Sequence, residues 1–288
     1  MQSSPIQLAY ISGGFPIWAL MVAQHQGLFT QAGLSVQITH TGSSQVQLQG
    51  LRDGRFDIGL QLADHPVRAT LTGCPMQILA AQTHAPDVAL VSQPQMKAIA
   101  DLRGHRVAVD GARSGYALLL RQLLRQHGLG PEAVTLVEVG DSQQRVQSLQ
   151  SGELAASFIN PPLDKALVAQ GYVRLTSTRS AFPDYPGPVV AARHAWIAEH
   201  RAETTAFQQA WQAAWRWLLD EAHTEAALAL AATHLQADAE AAQRALAGLR
   251  AQGLPQVSDA ALQTVIDLVA EADAPNAARP RPVDLRAA

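Results

Sequence analysis

Residues 102–126 read LRGHRVAVDGARSGYALLLRQLLRQ. Arg106–Val109 has the short apolar pattern of a strand, and it runs directly into Asp110-Gly111-Ala112-Arg113-Ser114-Gly115. Beyond that turn, Leu119, Leu120, Leu123, Leu124 and His127 recur at helical spacing. A strand that stops at a Gly/Ser turn opening a helix leaves unbonded backbone N–H groups, and the positive end of a helix dipole, at the strand's C-terminal edge. Such an edge suits a small polar or anionic ligand. The same residues also fit an ordinary junction in which Ser114 only caps the helix.

Repetition along the chain separates these readings. Predicted strands at 6–11, 35–39, 56–60, 76–81 and 88–92 alternate with predicted helices at 17–29, 45–51 and 66–71. The pattern restarts with strands at 106–109, 134–139, 155–159 and 173–176, and with helices at 142–150 and 163–170. Ser12-Gly13-Gly14-Phe15-Pro16, Thr41-Gly42-Ser43-Ser44, Gln61 to His65, Gly140-Asp141-Ser142 and Asn160-Pro161-Pro162 all follow strands, as Asp110–Gly115 does. The alternation predicts α/β lobes with largely parallel strands. Ligands of open α/β sheets bind where strand C-terminal ends meet helix N-termini. Two such lobes facing each other would make a cleft between them.

The last third of the chain reads as helical. Phe207, Trp211, Trp215 and Leu218 share one face of 204–219, which suggests core packing, with an aromatic ligand cage as the lesser alternative. An Ala-rich helix is predicted over 225–252 and another over 259–272. The tail, with Pro275, Pro280 and Pro282, is expected to be loose.

Composition narrows the function classes. With 288 residues the chain exceeds the usual size of one core, so two lobes are expected. A formal net charge of −3, with Arg and Lys dispersed, gives no support for a nucleic-acid partner. No apolar run reaches the roughly 18 residues of a membrane span. The single cysteine, Cys74, has no intrachain disulfide partner and no His or Asp beside it, so it reads as structural rather than nucleophilic. The histidines lack HExxH or other close ligand spacing, and neither GxGxxG nor GxxxxGKS occurs, so no metal and no cofactor is expected. No signal peptide is visible. The expected location is periplasmic if a leader has been removed and cytoplasmic otherwise.

Several segments together resemble one family. They are Phe15-Pro16-Ile17-Trp18-Ala19-Leu20, Gln26-Gly27-Leu28-Phe29, Gly33-Leu34-Ser35-Val36, residues 51–59 (LRDGRFDIG), residues 101–109 (DLRGHRVAV) and Ser151-Gly152-Glu153-Leu154-Ala155-Ala156. Their order and spacing, over nearly the whole chain, are similar to the solute-binding proteins of nitrate, sulfonate, taurine and thiamine-pyrimidine ABC importers. The resemblance implies a type II periplasmic-binding-protein fold. That means two α/β lobes with a ligand cleft between them, and C-terminal helices packed on the first lobe. It puts residues 1–88 and 190–288 in the first lobe and 89–189 in the second. It further implies a monomer that captures a small organic anion or heteroaromatic solute by lobe closure. The solute is then delivered to the permease subunits in the membrane.

The same superfamily contains enzymes. His65 falls where the pyrimidine-forming group has its reacting histidine, but Gln61 stands where that group anchors pyridoxal phosphate on a lysine, and its cysteine cluster is absent. The aromatic sulfinate desulfinases have a cysteine in the first loop, where this chain has Gly14-Phe15-Pro16. No catalytic residue is therefore expected. The alternative is a cytosolic enzyme on this fold, an aromatic-acid decarboxylase or a pyrimidine-precursor enzyme, and its activity would depend on His65.

The candidate ligand residues lie at the strand ends. Arg113, beside Ser114 and Gly115, has the chemistry to clamp a carboxylate, sulfonate or phosphate, or else pairs with Asp110 in solvent. Ser43 and Ser44 would aim donors at the same kind of group. Asp64 and Asp110 read first as helix caps and second as a grip on a cationic amine. His65 and His84 fall at expected cleft positions, where a lone histidine serves structure as readily as binding. Phe15, Trp18, Tyr116 and Tyr185 would wall the cleft and suit a flat organic ligand, with Trp18 fitting a core equally well. Gly14, Gln61 and Asn160 complete the set at the ends of their strands.

Overall fold

Leu8 and Ala9 are neighbours on the first strand, and neither has exposed surface. Successive strand residues point to opposite faces, so this sheet is covered on both sides, as parallel sheets are. The computed structural model describes every residue except 1–3, 12, 86, 113, 141, 274 and 288. Its contacts divide into two compact units. Met1–His84, Pro186–Ile266 and Asn276–Ala288 form the first, and Ala85–Tyr185 and Asp267–Pro275 the second.

The first unit is built on β1 (Ile6–Tyr10), β2 (Val36–His40), β3 (Ile58–Gln61), β4 (Met76–Ala81) and β10 (Val189–Arg193), in the order β2-β1-β3-β10-β4. β1 pairs in parallel with β2 and β3, while β10 runs antiparallel to β3 and β4. α1 (Trp18–His25) and α2 (Leu28–Gln31) follow β1, α3 (Ser44–Arg52) follows β2, and α4 (Asp64–Leu71) follows β3. One sheet face, with Leu8, Leu60 and Val190, packs on Trp18 of α1 and on Phe207, Trp211 and Trp215 of α10 (Arg201–Leu219). The other face carries Ala9 against Leu51 and Ala69. α3 lies close over β3: a Cβ on Gly59 would stand 2.6 Å from Gln47 Nε2 and 2.8 Å from Leu51 Cδ1.

The second unit holds β5 (Ala89–Ser92), β6 (Arg106–Val109), β7 (Thr135–Glu138), β8 (Ala156–Ile159) and β9 (Val173–Ser177), in the order β7-β6-β8-β5-β9. Here β6 is parallel to β7 and β8, and β5 is antiparallel to β8 and β9. Its helices include α5 (Gly115–Gln126), α6 (Ser142–Gln150), α7 (Leu163–Ala169) and α8 (Thr178–Ala181). The two sheets repeat one plan, and the likeness reaches single residues. Gly42-Ser43-Ser44-Gln45-Val46-Gln47 precedes β3 as Gly140-Asp141-Ser142-Gln143-Gln144-Arg145 precedes β8. Gln47 donates to the Leu60 carbonyl at 3.1 Å, and Arg145 Nε donates to the Phe158 carbonyl at 3.2 Å, each from the matching helical position to the matching strand residue. The chain then returns through β10 to α9 (His194–Glu199), α10, α11 (Thr224–His234), α12 (Ala239–Gln252) and α13 (Asp259–Asp273). Ala227, Ala231, Ala242 and Leu246 bring α11 and α12 onto the first unit's core.

Four local expectations are corrected. The single helix over 17–29 is a 3₁₀ turn at Phe15–Ile17 followed by α1 and α2, split at Gly27, whose φ of +66° is left-handed. The helix over 225–252 is two helices. Gln236 has a φ of +53°, and Asp238 caps α12 by accepting from Ala241 N at 2.8 Å. β10 was not anticipated: Val189 to Ala192 are buried on both faces, so the segment shows no alternation. The tail is not loose. Leu285 is fully buried, Arg286 Nε donates to Asp259 at 2.9 Å, and Ala287 N donates to the Ile78 carbonyl at 3.1 Å. The strands are largely parallel, with one antiparallel strand beside the edge of each sheet.

Candidate functional site

The C-terminal end of β3 carries a group of buried polar side chains. Gln61 is 2% exposed, and neither atom of its amide has a hydrogen-bond partner among the described residues. Asp64, the first residue of α4, has no exposed surface, and its Oδ2 accepts from Arg68 Nε at 3.1 Å, one helical turn on. Its Oδ1 and His65 Nδ1 have no hydrogen-bond partner among the described residues, and His65 Nε2 lies 4.0 Å from Asp64 Oδ2. Ala63 rather than Asp64 occupies the cap position of α4, so the capping role expected for Asp64 is replaced by an ion pair. A buried carboxylate is tolerated when paired, and here the pair leaves one oxygen for a further donor. Gln47 stands behind the group. Its Nε2 donates to the carbonyls of Ala9 and Leu60 at 3.2 and 3.1 Å.

The neighbouring strand ends of the first unit complete this edge. Gly14 has a φ of +79°, a conformation that favours glycine, and opens the 3₁₀ turn bearing Phe15. Phe15 lies half-buried, its ring 5.4 Å from that of Trp18. Trp18 is fully buried in the core, and its indole N–H has no hydrogen-bond partner among the described residues. Ser43 caps α3, its Oγ accepting from Val46 N at 3.4 Å, and Ser44 begins that helix. His84 Nε2 bonds the Gly253 carbonyl at 2.9 Å, and its ring meets Trp215 edge-on.

In the second unit, Ser114 caps α5 by accepting from Ala117 N at 3.0 Å, and its hydroxyl donates to Asp110. Asp110 therefore receives a hydroxyl instead of capping a helix itself. Gly115 starts α5 and is buried. Arg113, the expected anion clamp, lies outside the described residues. A pocket is lined by Val109, Asp110, Tyr116, Phe158, Asn160 and Arg145, among others. Tyr185 is buried at the end of the unit, its N–H bonded to the Phe182 carbonyl at 3.0 Å. Arg145, Arg68 and Gln47 were not anticipated from sequence. Their one signal was a polar residue on a helix face that otherwise points inward. Among the described residues, no group of three or more His, Cys, Asp or Glu side chains gathers to hold a metal ion. No helix among them is long and apolar enough to cross a membrane.

Comparison with known proteins bears on family and fold. Residues 3–232 match the sequence model of the NMT1-like family. A protein of Brucella abortus named as a binding protein is 25% identical over 199 residues, which is 68% of this chain and 61% of that protein, so this chain spans less than two thirds of that relative. An Escherichia coli protein named for binding aliphatic sulfonates is 31% identical over 131 residues, covering 44% of this chain and 40% of its own. The crystal structure of the periplasmic aliphatic sulphonate-binding protein from Escherichia coli superposes with a TM-score of 0.70 at 20% identity, covering 93% of this chain and 90% of its own. The fold is thus that of the periplasmic binding proteins.

Proposed function

The chain belongs to the NMT1-like family, and from that premise we propose that it is the solute-binding component of an ABC importer. It works in the periplasm and hands its solute to permease subunits in the membrane. The solute is a small organic anion or heteroaromatic compound, with sulfonates first in line because a relative is named for binding them. The observation that carries this reading is the buried Gln61 amide, which with Asp64 Oδ1 and His65 Nδ1 has no hydrogen-bond partner among the described residues. Each buried group left unbonded costs about 1–3 kcal/mol. A binding protein recovers that cost when a solute supplies the partners. The relatives' names speak for binding rather than catalysis, and Gln61 has no nucleophilic or imine chemistry.

A thermal-shift panel tests it, using alkanesulfonates, taurine, nitrate, aromatic carboxylates and aminopyrimidines, followed by calorimetry on whatever stabilises. At a hundredfold excess over Kd, a true solute stabilises the fold by about 2.7 kcal/mol. Gln61→Leu, which removes both polar atoms of the amide, should weaken that solute about tenfold or more while leaving the free protein as stable or more so. The reading is abandoned if no class of compound raises the midpoint, or if the leucine variant binds as the parent does.

A further inference from the structure

We infer that Arg145 is a positioning residue, holding Ser142 and Asn160 so that the second unit offers a solute the Ser142 hydroxyl proton. This rests on the solute-binding reading above and names what the solute must carry. Arg145, on α6, is 5% exposed. Its Nε donates to the Phe158 carbonyl at 3.2 Å, its Nη1 to the carbonyls of Val139 (3.1 Å) and Gly140, and its Nη2 to Ser142 Oγ at 2.9 Å. One planar fork thus ties the chain beyond β7, the end of β8 and the first turn of α6 together. A lysine ammonium cannot reach these directions from one rigid plane.

Ser142 Oγ also accepts from Asn160 Nδ2 at 3.0 Å and from Asn160 N at 3.4 Å. A hydroxyl has two acceptor lone pairs and one proton. With Arg145 and Asn160 both donating, Ser142 is left to act as a donor. The solute atom it meets must be an acceptor, such as the oxygen of a sulfonate, carboxylate or carbonyl. Arg145 and Asn160 both line the second unit's pocket, and Ser142 is bonded to each of them. The matching residue of the first unit, Gln47, spends its amide N–H groups on the carbonyls of Ala9 and Leu60. Among the described residues, the repeated architecture thus holds a serine in this way in the second unit and not in the first.

The test is calorimetry with ethanesulfonate on the parent protein, S142A, R145M, R145K and the S142A/R145M double variant. If Arg145 acts through Ser142, each single loss weakens ethanesulfonate about tenfold and the double variant is no weaker than either. R145K recovers the thermal midpoint lost in R145M but not the affinity. Additive losses, an S142A variant that binds normally, or a lysine that restores stability and affinity together would each overturn the inference. If ethanesulfonate does not bind the parent protein, the sulfonate reading fails, and the role of Arg145 is decided on the free protein. The side-chain amide signals of Asn160 in a nitrogen–proton NMR spectrum should then move alike in S142A and R145M. Signals unchanged in R145M would refute the positioning role.

Discussion

His25 and His234 stack with ring centroids 3.7 Å apart, on the last turns of α1 and α11. Partial burial, and after it the neighbouring imidazole, hold His25 below its ordinary value near 6.5. The folded chain therefore resists a proton that the unfolded chain accepts. The contribution of His25 to stability is level above about pH 6.5 and falls as the pH drops from there through the lowered value, because the unfolded state binds more protons in that window. Thermal midpoints measured between about pH 7.5 and 5.5 should show this decline, and His234→Gln should flatten part of it. An equal decline in both proteins would place the effect elsewhere. At the same scale, the site depends on polar residues whose partners are distant in sequence. Gln61, Asp64 and His65 could be picked from their place after a strand. Gln47 and Arg145 could not, because their acceptors, Leu60 and Phe158, lie 13 residues further along and on the adjoining strand.

Among the elements, α10 contributes most to the first unit's core. Phe207 and Trp211 are 0% and 1% exposed, and Trp211 Nε1 donates to the Ala81 carbonyl at 3.0 Å, at the end of β4. The aromatic spacing along 204–219 predicted this packing, and Phe207, Trp211 and Trp215 all serve the core rather than a ligand cage. Trp211→Ala removes both the buried area and the hydrogen bond, and should cost about 3–5 kcal/mol, read from urea denaturation as a lowered midpoint. A loss under about 1 kcal/mol would mean that α10 is not anchored through this ring. Elements were legible where periodicity was strong, as in α5, and blurred where a single residue redirects the backbone. Gly27 and Gln236 break predicted helices by taking a positive φ, which the spacing of apolar residues does not register.

For the whole molecule, the first unit is assembled from three stretches of chain with the second unit inserted between them in sequence. Gln61→Leu in the first unit and Asn160→Ala in the second separate the two candidate positions: Gln61→Leu should weaken the solute about tenfold in calorimetry, and a loss seen only with Asn160→Ala would move the site to the second unit. The chain's α/β alternation, its strand-end Gly/Ser turns and its helix caps at Ser43 and Ser114 are local matters, decided by residues within a few positions of each other. The sequence by itself therefore determined the type of most elements, though not β10, and the edge on which a ligand would be sought. The position of β10 between β3 and β4, the docking of the tail at Ile78, and the partners of Asp64, Gln47 and Arg145 were decided only by the tertiary structure. Burial on both faces erases the alternation that would mark a strand, and a buried polar group is satisfied by whatever carbonyl or charge the fold brings to it.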